Sequence, residues 1–211
     1  MSSPRLEQKQ QTRRALMEAA RNLMESGRGF GSLSLREVTR LAGIVPTGFY
    51  RHFRDMDELG MALVAEVGET FRATLSEVRR NEFELGGMIE ASTHIFINAV
   101  AANRGQFLFQ AREQYGGSQA VRQALGELRK RITEDLSRDL QLMNRMPGLG
   151  KPSLDVLADL VIKAVFATLP ELIDPPASDQ PLHLRPEAKI IEQLRFIMIG
   201  GKHWRGLGKP D

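Results

Sequence analysis

Residues 46–54 read PTGFYRHFR, a run in which basic residues and aromatics crowd together. Thr47, Tyr50, Arg51 and Arg54 stand at i, i+3, i+4 and i+7, so on a helix they share one face. Hydroxyls and guanidiniums on one face suit base edges and phosphates in a DNA major groove. Phe49 and Phe53, four apart, share a different face and point to a core. Gly48 costs a helix about 1 kcal/mol relative to Ala; close approach of the backbone to DNA is one reason to keep it. Taken singly, each residue has a duller reading: Tyr50 as the cap of a small core, Arg51 and Arg54 as solvated charges, His52 as an ordinary surface residue.

Other chemistries find less support. The chain has no cysteine, which excludes disulfides, thiolate catalysis and Cys-ligated zinc. His52, His94, His183 and His203 are scattered without metal-ligand spacing, so no metal and no cofactor is expected. There is no G-x-S-x-G and no nucleophile beside a base, so the expectation is not an enzyme. A small helical enzyme acting on acyl thioesters is the rival from another class. The first ten residues, MSSPRLEQKQ, lack the apolar stretch of a signal peptide, and no window approaches the ~18 apolar residues of a membrane span. A soluble cytoplasmic protein with no membrane partner is expected.

Charge is unevenly placed. Residues 1–54 carry ten Lys/Arg against four Asp/Glu, a balance of +6, whereas 55–211 carry 19 against 22, a balance of −3. A basic head on a mildly acidic body suggests that the head meets a polyanion. The head is too modestly charged for a sequence-neutral architectural DNA binder.

These residues need elements to hold them, and almost every segment reads helical. In QQTRRALMEAARNLMES, Leu16, Ala20, Leu23 and Met24 fall at helical spacing, and Gly27 and Gly29 end the helix. Ser34 with Glu37 forms a capping-box pattern that opens a short helix, with Leu35, Val38 and Ala42 inward and Gly43 as its stop. Pro46 suits the first turn of the next helix. Helix, glycine turn and helix over 34–54 make the helix-turn-helix pattern. A long helix from about Asp55 to Arg80 carries the stripe Leu59, Leu63, Val67, Phe71 and Leu75, and Gly86–Gly87 break it. Further helices are predicted near 88–102, 106–114, 118–144, 153–172 and 187–204, with turn-rich loops at 146–153 and 174–181. The fold class is therefore all-α: a three-helix helix-turn-helix head, residues 1–54, and a larger helical body, residues 55–211. The stretches 157–169 and 190–201 are apolar on nearly every face. Such helices must be covered all round, either as central core helices of a monomer or by a second copy; a two-fold homodimer through the last two helices is expected.

The stretch SLSLREVTRLAGIVPTGFYRHFRDMDEL resembles the N-terminal region of TetR-family transcriptional regulators, with its A-G-x-x-x-x-x-x-Y-x-x-F core, and the resemblance covers residues 12–63. Val45 departs from it: the family often places there a Ser that caps the recognition helix. The P-T-x-F-Y-R-H-F-R-D run and FLFQAREQYGGSQAVR (107–122) are similar to fatty-acid regulators of the FabR and DesT type. The resemblance implies double-stranded operator DNA as a partner. It places Ser34 and Arg36 near passing phosphates, Pro46, Thr47, Gly48, Tyr50, Arg51 and His52 on the recognition helix, and Arg13 against phosphate or a minor groove. Tyr50 then positions a phosphate, and Thr47 and Arg51 read bases. It further implies a repressor of unsaturated fatty acid synthesis whose effector is a long-chain acyl-CoA. The body supplies aromatic walls and adaptable methionines for such a chain, although any helical core holds similar residues. The expected lining is Met61, Phe96, Phe107, Phe109, Arg112, Met146, Phe166 and Leu169. Arg112 is open between a polar head of the ligand and an internal ion pair. The alternative within the family is a repressor sensing another apolar or aromatic molecule.

Overall fold

The ten residues before Leu16 are rich in Glu, Gln, Lys and Arg, all good helix formers. In the computed structural model, which describes residues 4–80, 87–144, 146–175, 181 and 185–206, helix α1 accordingly runs from Pro4 to Glu25. It begins well before the expected start, with a proline in its first turn. Gly27, at φ +95°, ends it in the left-handed region that favours glycine. Phe30–Ser32 form a single 3-10 turn that the sequence pattern did not foretell.

Helix α2 spans Leu35–Leu41 and carries the expected capping box. The Glu37 N–H donates to Ser34 Oγ (3.3 Å), and the Ser34 N–H donates back to Glu37 Oε2 (3.0 Å). Arg28 donates to the same carboxylate (2.6 Å). Hydrogen bonds from Arg28 and Ser34 hold the Glu37 carboxyl down at about 2. Helix α3 is shorter than expected, Pro46–Phe49, and tightens into turns through Phe53. Val45 occupies its N-cap without any side-chain cap.

Helix α4, Met56–Arg80, starts on an exchange of bonds: Asp55 Oδ1 accepts from the Glu58 N–H (2.8 Å), and Glu58 Oε2 accepts from the Arg54 N–H (2.7 Å). Its stripe Leu59, Leu63, Val67 and Phe71 is buried as its spacing predicts. There follow α5 (Met88–Ala102), α6 (Arg104–Glu113), α7 (Gln119–Leu142), α8 (Lys151–Ile173) and α9 (Pro186–His203). Among the described residues there is no strand. Phe83, Gly86 and His183 lie outside them.

The chain forms two compact units. The first comprises residues 1–69 and 104–126, so it holds α1 to α3, the start of α4, all of α6 and the first turns of α7. The second comprises 70–103 and 127–211. The head expected over 1–54 lies wholly in the first unit, and the stretch 55–211 is divided between the two. In the first unit Phe30, Phe49, Phe53, Phe107 and Phe109 are almost fully buried, and Phe30 meets Phe109 edge-on at 5.9 Å. In the second, Phe71 packs against Phe166 (4.9 Å) and Phe96 (6.2 Å). No helix among the described residues is long and apolar enough to cross a membrane.

Candidate nucleic-acid interface and internal cavity

Gly43, at φ +69°, turns the chain between α2 and α3, and Phe49 and Phe53 anchor the α3 region in the core. That anchoring leaves Thr47, Tyr50 and Arg51 exposed together, Tyr50 to 64%. Arg54 is exposed as well, but its Nε donates to Glu58 (3.1 Å), so it braces the start of α4. Gly48 has a reason closer than DNA. A Cβ there would lie 2.7 Å from Ile44 Cγ2, a β-branched methyl with little room to move. The turn itself therefore demands glycine.

A groove on this unit is lined by Arg5, Lys9 and Thr12 of α1 and by Ile44, Gly48, Arg51 and His52 of the turn and α3 region. Burial, followed by the charges of Lys9, Arg13 and Arg51, pushes the His52 imidazole below its ordinary range. Its Nδ1 is buried with no hydrogen-bond partner among the described residues. Arg13 is exposed, yet its guanidinium lies over the Phe53 ring at 4.9 Å and so also serves packing. Ser34 and Arg36 are exposed at the start of α2, but the Ser34 hydroxyl donates to Glu37 (2.7 Å) and is engaged in the cap. Pro46 opens α3 as its first residue.

The second unit holds a cavity of about 180 Å³. Phe71, Phe96, Met88, Met143 and Met198 are among its walls, with Ile132, Leu136, Ile162 and Leu194. Thr74, Ser92, Thr93 and the ion pair Arg79–Asp139 (3.2 Å) supply its polar groups. Burial raises the Asp139 carboxyl, and Arg79 opposes that shift.

Of the expected ligand-contacting residues only Phe96 lines this cavity. Phe166 stands beside it, against Phe71. The remainder do not line it. Phe107 and Phe109 fill the core of the first unit, Met61 is exposed on α4, and Leu169 is wholly buried away from the lining. Met146 packs with Leu140, Leu154 and Leu157. Arg112 donates to the Met24 carbonyl at the end of α1 (2.6 Å), which is neither of its expected roles. Its neighbour Glu113 is buried and accepts from the Phe30 N–H (2.8 Å). Arg79 and Asp139 went unnoticed although helical spacing could have found them: Arg79 is eight residues beyond Phe71, and Asp139 is seven beyond Ile132. Thr93 gave the same signal, three residues before Phe96.

Helices α8 and α9 are not covered all round within one chain. Leu157, Ile162 and Phe166 of α8 and Ile190 and Leu194 of α9 are buried, whereas Val156, Leu160, Phe196 and Ile199 are exposed, Phe196 to 80%. Gly201 packs inward, where a Cβ would meet Leu157 Cδ1 at 2.9 Å. Gly200 faces open space.

Comparison with known proteins bears on both regions. Residues 16–63 match the family described as bacterial regulatory proteins, tetR family, and residues 85–200 match the tetracyclin repressor-like C-terminal domain. A structure provisionally described as a TetR-family transcriptional regulator from Syntrophomonas wolfei is similar over 95% of this chain and 99% of its own, with a TM-score of 0.71 and 15% identity. The fatty acid degradation regulator FadR from Bacillus halodurans is similar over 97% of this chain and 100% of its own (TM-score 0.68, 10% identity). A transcriptional regulator from Rhodococcus sp. RHA1 is similar over 92% and 97% (TM-score 0.66, 23% identity). At these identities the structural likeness is one of fold.

Proposed function

The chain belongs to the TetR family of DNA-binding transcriptional regulators, and from that premise we propose that it represses genes of unsaturated fatty acid synthesis, with operator affinity set by the shape of a long-chain acyl-CoA. In this reading Thr47 and Arg51 read base edges, Tyr50 holds a phosphate, and the cations flanking His52 draw the backbone of the DNA toward the groove.

The observation that carries the effector half is the cavity walled by Phe71, Phe96, Met88, Met143 and Met198. Methionines are unbranched and re-pack readily around an aliphatic chain. The fatty-acid role named for the Bacillus halodurans relative supports the lipid reading. A straight and a bent chain press differently on α4, which gives Met56–Glu69 to the first unit and Thr70–Arg80 to the second. An effector shifts operator binding only by its differential affinity for the two states. The exposed face of α8 and α9 is covered by a second copy, and the dimer presents two recognition helices roughly 34–36 Å apart or a multiple of it. The protein works in the cytoplasm, where its operator is.

A second reading draws on the cavity's size. At about 180 Å³ it falls below the roughly 300–1,000 Å³ of ordinary ligand sites, which favours a smaller apolar or aromatic effector unless the walls part.

The deciding experiment measures binding to a desaturase or fatty-acid-synthesis promoter at fixed salt, with saturated and unsaturated acyl-CoAs. Different changes in affinity for the two chain types support the lipid sensor. Tight DNA binding that neither ligand alters removes the lipid assignment and leaves the repressor. Arg51→Ala is expected to cost about 1–3 kcal/mol on the operator and far less on random DNA; an equal loss on both makes Arg51 a phosphate contact.

A further inference from the structure

Three threonines on helices of the second unit are buried, and two of them behave alike. Thr74 Oγ1 donates to the Thr70 carbonyl (2.9 Å), and Thr168 Oγ1 donates to the Ala164 carbonyl (2.8 Å). Bonding back to the carbonyl four residues earlier is how a helical threonine ordinarily disposes of its hydroxyl. Thr93 departs from this. It is 2% exposed, it lines the cavity, and its Oγ1 has no hydrogen-bond partner among the described residues. A buried hydroxyl without a partner is costly, and the cost is recovered when a partner arrives.

The position of Thr93 says where that partner sits. On α5 it lies three residues before Phe96 and five after Met88, about 4.5 Å and 7.5 Å along the helix axis. Both flanking residues are cavity walls, as is Thr93 itself, so the residue stands partway along the apolar space. The charged lining groups, Arg79 and Asp139, are paired with each other.

Building on the effector reading of the cavity, we propose that Thr93 is a hydrogen-bonding anchor for an effector that carries an oxygen, as a hydroxyl or a carbonyl, within its apolar body. The ligand class is an oxygenated aliphatic chain. Selectivity then depends on mid-chain chemistry as well as on length or bend.

The test uses dodecanoic acid and dodecanoic acids bearing a mid-chain hydroxyl or ketone. Affinity for the full-length protein is measured by calorimetry for wild type, Thr93→Val and Thr93→Ser. Wild type is expected to prefer the oxygenated chains by about tenfold. Thr93→Val erases that preference without weakening the plain chain, and Thr93→Ser retains it. Without ligand, Thr93→Val is expected to raise Tm by about 2–4 °C, because an unpartnered hydroxyl is gone. If the plain chain binds but wild type shows no preference, or Thr93→Val keeps one, the anchor is overturned while the effector cavity stands. If no chain binds at all, the cavity reading and the anchor fall together.

Discussion

The first unit is drawn tight by hydrogen bonds and close glycine contacts between its helices, while the second keeps an apolar cavity among its own. In the first, consecutive residues of α6 tie down the link between α1 and α2: Arg112 bonds the Met24 carbonyl, and Glu113 bonds the Phe30 N–H. Ser118 donates to Asp57 (2.7 Å), and Arg28 and Ser34 share the Glu37 carboxylate. Glycines allow close packing there: a Cβ on Gly60 would fall 2.5 Å from Val121 and 2.8 Å from Phe30. In the second unit a cavity remains, with an unpartnered threonine in its wall. Reading a DNA sequence requires one fixed arrangement of a few side chains. Sensing a molecule requires space and a conformation with something to gain from being filled.

The contrast can be broken most sharply at Phe49, which is fully buried in the first unit. Phe49→Ala is expected to cost about 3–5 kcal/mol, seen as loss of operator binding and an early transition in urea. Next comes Glu113→Ala, which strands the Phe30 N–H and is expected to cost about 1–3 kcal/mol. Glu113→Gln keeps an acceptor oxygen and should cost less; equal losses from the two would deny the pin. In the second unit, Val165→Phe adds bulk to a cavity wall. Overpacking a filled core costs about 1–3 kcal/mol, but here a Tm near that of wild type is expected, together with loss of any effector response on DNA. A large fall in Tm would mean that the space is not available.

The smallest effect concerns Glu37. Its carboxyl titrates at about 2 in the folded chain against an ordinary 4.5. A folded value below the unfolded one means that the stabilisation is complete above about 4.5 and is lost as pH falls toward 2. Glu37→Gln should therefore lower Tm at pH 6, and the gap from wild type should close as the pH approaches 2.

The helices and the inward stripes were legible because spacing alone determines them: Leu59 to Phe71 on α4, Phe49 with Phe53, and Ser34 with Glu37. The cavity was not. Phe107 and Phe109 look like ligand-lining aromatics as readily as Phe71 and Phe96 do, and only the packing of α6 into the first unit separates them. Gly48 carries a second constraint that was not legible, for a related reason. Its constraint comes from the Ile44 side chain across the turn, a contact that helix propensity does not encode. The exposed face of α8 and α9 was half legible: its apolar content announced a cover, and the structure distinguishes Leu157 and Leu194, which face inward, from Leu160 and Phe196, which do not.

The first unit is assembled from two stretches of chain, 1–69 and 104–126. During synthesis, Phe30 leaves the ribosome long before Phe109, the ring that meets it edge-on. At about 5–20 residues per second, the ribosome takes several seconds to make the intervening chain. Throughout that interval the DNA-reading end of a nascent polypeptide shows an uncovered aromatic surface, which is where a chaperone would grip it.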